Sequence, residues 1–205
     1  MENDVENLIL DSLKEVIELK CIKDANNETT NRLVYPQKRD DLKRVSEQES
    51  RFLFIKKIEN ESKFFYSVEA PTKEKYYFTG KEENKKSGNF DVCLYGEDKK
   101  RKHLLEFKAM NPPVASYEKD FKKLIKDEDG LTNYFIQVII NRDNGTLLNI
   151  EKKYNKAIQY AVKNNDDNKN KSKLVIYLCD IGLKKSILRY EVINDKLSSP
   201  KNLYI

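Results

Sequence analysis

Two short segments, Tyr134–Ile140 (YFIQVII) and Leu174–Cys179 (LVIYLC), are apolar almost without interruption. They constrain the fold more than any other feature of the chain. A strand with one wet face alternates apolar and polar residues, so a continuous run of this length marks a strand buried within the protein. Between the two runs the periodicity predicts a helix over about 146–163, then an Asn/Asp/Lys-rich loop at 164–172. Upstream, Lys63–Glu69, Lys75–Thr79, Phe90–Tyr95 and His103–Ala109 are rich in aromatic or branched residues and end at Pro71, Gly96 or Asn111-Pro112-Pro113, as strands do. Lys81–Asn89 reads as a charged loop, 96–102 as a hairpin turn and Ile187–Val192 as an edge strand. Helices are expected over 5–20, 40–59 and 116–128, the last with Phe121, Leu124 and Ile125 on one face. Residues 21–39 read as irregular. The order predicts an α/β fold, a central mixed sheet flanked by helices.

The 205 residues contain no internal repeat and no Pro/Gly-rich linker, so one domain spanning 1–205 is expected. Lys and Arg number 39 against 34 Asp and Glu, a net charge of +5, which permits a nucleic-acid partner without demanding one. Cys21, Cys93 and Cys179 are scattered and form no CxxC pair, which predicts free thiols rather than disulfides or a zinc site. No apolar run approaches the ~20 residues of a membrane helix. These features predict a cytoplasmic chain with no membrane partner.

The chemistry is carried by Asp91 and by Glu106-Phe107-Lys108. The triplet alone means little, because D/E-x-K also occurs at Glu18, Glu61, Glu83, Asp98, Asp120 and Glu151. Only Glu106–Lys108 lies inside an apolar strand. There Leu105 and Phe107 face one way, while Leu104, Glu106 and Lys108 face the other. Two charges on one face of an apolar strand need a reason, since burying them unpaired is costly. In the strand before it, Phe90, Val92 and Leu94 are expected on one face and Asp91 and Cys93 on the other. A hairpin through 96–102 then sets Asp91 beside Glu106. Paired carboxylates repel, and a divalent cation relieves the repulsion. Asp91, Glu106 and the main-chain carbonyl of Phe107 are therefore the expected ligands of Mg²⁺, with Mn²⁺ as an alternative. Lys108 is the expected orienter of a water and stabiliser of charge on phosphorus.

Glu49 is expected as a further acid of this site. On a helix over 40–59, Leu42, Val45, Phe52 and Leu53 form an apolar stripe that includes Glu49, whereas Glu47 projects to the opposite side.

These segments resemble the PD-(D/E)xK nuclease superfamily. Its restriction-endonuclease-like core runs αβββαβ, with an acid on the first helix, Asp on the second strand and (D/E)xK on the third. Glu49, Asp91 and Glu106-x-Lys108 stand in that order, and the match covers about residues 40–140. The proline that often precedes the strand Asp is absent; Asn89-Phe90 stand there. The resemblance implies a metal-dependent nuclease, DNA rather than RNA as substrate, and a homodimer as the means of cutting both strands. The alternative is a catalytically inactive nucleic-acid-binding or scaffold protein that keeps the fold. On the 116–128 helix, Lys119 and Lys123 are candidate phosphate contacts. His103, Cys93, Glu69 and the Lys99–Lys102 turn read more readily as structural or surface residues than as parts of the site.

Overall fold

A computed structural model describes residues 2–24, 32–37, 43–78, 81–127, 130–140, 143–163, 172–182 and 184–204. The chain runs α1 (Glu2–Glu18), α2 (Glu47–Glu61), β1 (Phe65–Phe78), β2 (Lys81–Tyr95), β3 (Arg101–Ala109), α3 (Val114–Lys126) and β4 (Thr132–Ile139). It continues through α4 (Asn144–Lys163), β5 (Lys173–Asp180), β6 (Ser186–Ile193), β7 (Lys196–Leu197) and β8 (Lys201–Asn202). One sheet takes the order β1-β2-β3-β4-β5-β6-β7, with β8 also paired to β6. The pairs β3/β4 and β4/β5 are parallel and the others antiparallel, which makes the sheet mixed.

The two apolar runs named above become the parallel strands β4 and β5. Two parallel neighbours require a crossover, and α3 and α4 supply the crossovers into β4 and β5. Both crossovers step the same way across the sheet. Their usual right-handedness therefore puts both helices on one face, where Tyr117, Phe121, Leu124, Tyr154 and Ile158 pack on Cys93, Leu104, Phe135 and Ile176. α1 and α2 cover the other face through Val5, Leu13, Leu53 and Phe54, over Val92, Leu105, Phe107 and Ile136. The ring of Phe107 meets that of Phe54 with centroids 5.8 Å apart, which seats α2 over β3. Truncating either ring would remove about 3–5 kcal/mol.

α3 is fixed at both ends. Lys153 of α4 donates to Asn111 Oδ1 (2.7 Å) and to the Pro112 carbonyl (2.8 Å), just ahead of the helix. At the other end the buried Asp127 accepts from the amides of Lys73 (3.1 Å) and Glu74 (3.0 Å), from the Tyr76 hydroxyl (3.0 Å) and from Arg101 (3.3 Å). That clasp ties the end of α3 to β1 and β3.

Three expectations need correction. Lys81–Asn89 is strand rather than loop, because it pairs with β1, which itself runs unbroken through Pro71 as far as Phe78. At the edge of the sheet both faces of such a hairpin can stay wet, so charge does not forbid strand pairing. α2 begins at Glu47, capped by Ser46, and not at 40; residues 38–42 lie outside the described residues. Its buried stripe is Glu49, Ser50, Leu53, Phe54 and Ile58, whereas Phe52 is 56% exposed. The 164–171 part of the anticipated loop also lies outside the described residues. Among the described residues, no helix is long and apolar enough to cross a membrane.

Candidate active site

β2 and β3 pair regularly from Leu94/His103 to Val92/Leu105, and the register ends there. At the next position Asp91 replaces the missing main-chain acceptor: its Oδ2 takes the Phe107 amide at 2.7 Å. The parting strands leave a notch in the sheet that the Asp91 carboxylate bridges, while Glu106 points toward α3. Phe90 is the exception to the expected alternation, since it packs with Cys93 rather than with Val92 and Leu94. Opposite this point Glu69 has φ 51°, a left-handed backbone that bends β1 and costs a non-glycine residue about 1 kcal/mol.

Glu106 is 3% exposed and Phe107 points to the α1/α2 side, as the strand period requires. The partner of Glu106 is Lys123 of α3, whose Nζ contacts Glu106 Oε1. The same Nζ donates to the Asn89 carbonyl at 2.7 Å and lies 3.4 Å from Asp120 Oδ1. Asp120 Oδ2 in turn stands 3.0 Å from Lys108 Nζ. On the α2 side, Arg51 reaches Asp91 Oδ1 at 3.5 Å and Glu69 at 3.0 Å. Asp91, Glu106 and Lys108 therefore belong to one electrostatic network, and α3 contributes two buried members.

Burial pushes the Glu106 carboxyl well above the usual carboxylate range; Asp120 and Asp91 add to the push, and Lys123 opposes it. Asp91 is raised by burial too, against the Phe107 amide, Lys108 and Arg51. For Lys108 burial works against the ammonium, but Asp120 and Glu106 outweigh it and hold its pKa above that of an ordinary lysine. Lys108 is thus a standing cation, able to stabilise negative charge and orient a water, and unsuited to the role of general base.

Glu49 is not part of this network. Its Oε2 accepts from the Ser46 amide (2.9 Å) and hydroxyl (2.8 Å), closing a capping box at the start of α2. The α2 acid on the site side is Glu47, whose carboxyl is raised by burial and feels Lys108, Asp91, Arg51 and Asp120. Glu49 does lie on the covered side of α2, as expected, but its carboxylate is spent on the cap; Ser46-x-x-Glu49 ahead of an apolar run is the local signal for that. Lys123, expected on a phosphate-contacting surface, is 1% exposed and faces inward. Lys119 is exposed. Asp120 was passed over as one of many D-x-K matches, although it lies within the Tyr117/Phe121/Leu124 stripe, where an acid is out of place. His103 is buried, with Nδ1 2.7 Å from the Thr132 carbonyl and its ring beside Phe64 and Tyr134. Cys93 is buried under α3 and α4.

The donor set suits a hard divalent cation. Every side-chain donor is a carboxylate oxygen: among the described residues Glu69, Asp91, Glu106 and Asp120 gather about Arg51, Lys108 and Lys123, and Glu47 lies within their electrostatic reach. Among the described residues, no three His, Cys, Asp or Glu side chains already form a metal cage. The place beside Glu106 that a cation would take holds the Lys123 ammonium.

No family model, no curated protein and no solved structure matches this chain.

Proposed function

We propose that the chain is a divalent-cation-dependent phosphodiester hydrolase of the PD-(D/E)xK type, with a restriction-endonuclease-like core from α2 to β4. The observation that carries the reading is the notch between β2 and β3, where Asp91, held on the Phe107 amide, lies within electrostatic reach of the buried Glu106 and of a Lys108 held in its charged form. The order α2-β1-β2-β3-α3-β4 supports it, as does the mixed sheet. Asp91, Glu106 and the Phe107 carbonyl would hold Mg²⁺ or Mn²⁺. When bound, such an ion polarises a phosphate and lowers the pKa of a coordinated water. Lys108 sits where it can orient that water and offset charge building on phosphorus, and Glu47 borders the same space from α2. DNA is the preferred substrate in this reading, the exposed Lys119 a phosphate contact, the cytoplasm the compartment, and a homodimer the form that cuts both strands.

A second reading has its own observation: the Lys123 ammonium already compensates Glu106, as it would in a catalytically silent nucleic-acid-binding protein. The two separate on incubating the protein with plasmid DNA and with single-stranded RNA, each with and without Mg²⁺ or Mn²⁺. Cleavage that requires the metal and disappears in Asp91→Ala supports the hydrolase. Salt-dependent binding with no cleavage under any condition supports the silent form.

A further inference from the structure

We propose that Lys123 is the resident cation of the carboxylate site, displaced when a divalent ion binds Glu106, and that Asp120 is the residue that receives it. This rests on the metal-dependent reading above. A lysine ammonium has three N–H donors, and Lys123 has three acceptors around it: Glu106 Oε1, the Asn89 carbonyl and Asp120 Oδ1. Its hydrogen-bonding capacity is filled inside the protein, which removes it from any surface role. A divalent ion on Glu106 would compete with the ammonium for one carboxylate, and a lysine left against a doubly charged ion would be strongly repelled in so dry a place. Lys123 must therefore shift for the ion to enter.

The structure offers a short route for that shift. Asp120 lies one turn earlier on α3, and its Oδ1 is already 3.4 Å from the ammonium. Lysine is suited to the movement, being a point charge on a flexible four-carbon stem, whereas an arginine fork would need a second planar partner. The other oxygen of Asp120 stands 3.0 Å from Lys108. One buried carboxylate thus touches both lysines, which makes Asp120 a positioning residue: it receives one ammonium while holding the other. Its own burial, with 2% of the residue exposed, leaves it no solvent to turn to.

The test is titration of the full chain with Mn²⁺ alone, followed by calorimetry and by thermal shift. Lys123→Met is expected to bind Mn²⁺ about tenfold more tightly than wild type, since the competing charge is gone. Asp120→Asn is expected to bind it more weakly, because the displaced ammonium loses its destination. The double variant Glu106→Gln/Lys123→Met should stay folded and lose the ion, which locates the binding at Glu106. Should Lys123→Met not fold, Lys123→Gln keeps a hydrogen-bonding group without the charge and is expected to show the same tightening. Wild type that binds Mn²⁺ with an affinity unchanged in the folded Lys123 variants overturns this proposal and leaves the hydrolase reading standing. Absence of Mn²⁺ binding in every variant, together with absence of cleavage, overturns both.

Discussion

Of the carboxylate networks that join helices to the sheet, two treat their acids in opposite ways. Where α1 meets β6, Glu6 receives Arg189 through two contacts of 2.8 Å and the Tyr177 hydroxyl at 2.9 Å, while Arg189 also reaches Glu191 at 2.6 Å. Burial pushes the Glu6 carboxyl up, but the bonds from Arg189 and Tyr177 outweigh it, and the group ends below the usual carboxylate range. Between β2 and β3, Glu106 ends well above that range, although Lys123 touches it. The first network satisfies its charges with the donors it has. The second gathers more carboxyls than its cations can satisfy. Perturbed carboxyls of this kind gather at functional sites, which is the ground of the proposed metal site.

Activity should separate the two networks most strongly. Lys108→Ala should lower metal-dependent DNA cleavage by roughly 10²–10³-fold, the scale of losing one preorganised charge stabiliser. Glu6→Gln should leave cleavage unchanged, and equal losses in the two variants would erase the distinction. Stability comes next. Removing the Lys123 charge strands a buried carboxylate, so Lys123→Met should lose about 3–5 kcal/mol in urea unfolding of the metal-free protein. Arg189→Met, in a partly exposed network, should lose about 1 kcal/mol.

Smaller again is the contrast within α2. Glu49→Ala should cost about 1 kcal/mol as a lost cap and leave Mn²⁺ affinity as it was. Glu47→Gln should change the affinity and spare the stability. Stability should also depend on pH, and there the two networks should slope in opposite directions. The Glu6 carboxyl is lowered on folding, so its contribution is full above the unfolded pKa and is lost as pH falls through the folded value. The Glu106 carboxyl is raised, so in the metal-free protein its contribution is present below the unfolded pKa and is lost as pH rises through the folded value. Urea midpoints of wild type, Glu6→Gln and Glu106→Gln across about pH 3 to 8 measure both slopes, and parallel curves would contradict the assignment.

The sequence revealed what depends on local period. The alternation of HLLEFKA separated Leu105 and Phe107 from Leu104 and Glu106, and the structure keeps that separation. The continuous runs at 134–140 and 174–179 became the buried parallel strands. What escaped was set by longer-range contacts. Phe90 changes side opposite the left-handed Glu69, and no pattern within FDVCLY announces a bend caused by the neighbouring strand. Lys81–Asn89 is a strand only because β1 pairs with it. Lys123 looked like surface charge because its three acceptors come from β2, β3 and an earlier turn of its own helix, brought together only by the fold. Glu49 was a different kind of miss, since the capping box that claims it is written locally.

The anchoring of α3 at both ends limits how this chain can vary in length. Asp120 and Lys123 reach the notch only at one rotation of the helix about its axis, and that rotation is set by Lys153 at Asn111-Pro112 and by Asp127 at the far end. Each residue of an α-helix turns the next by about 100°. A single insertion or deletion between Pro113 and Asp120 would therefore carry the acid and the lysine away from Glu106 together, even with every side chain of the site retained. Divergent versions of this protein should tolerate substitution in that connection far more readily than any change in its length.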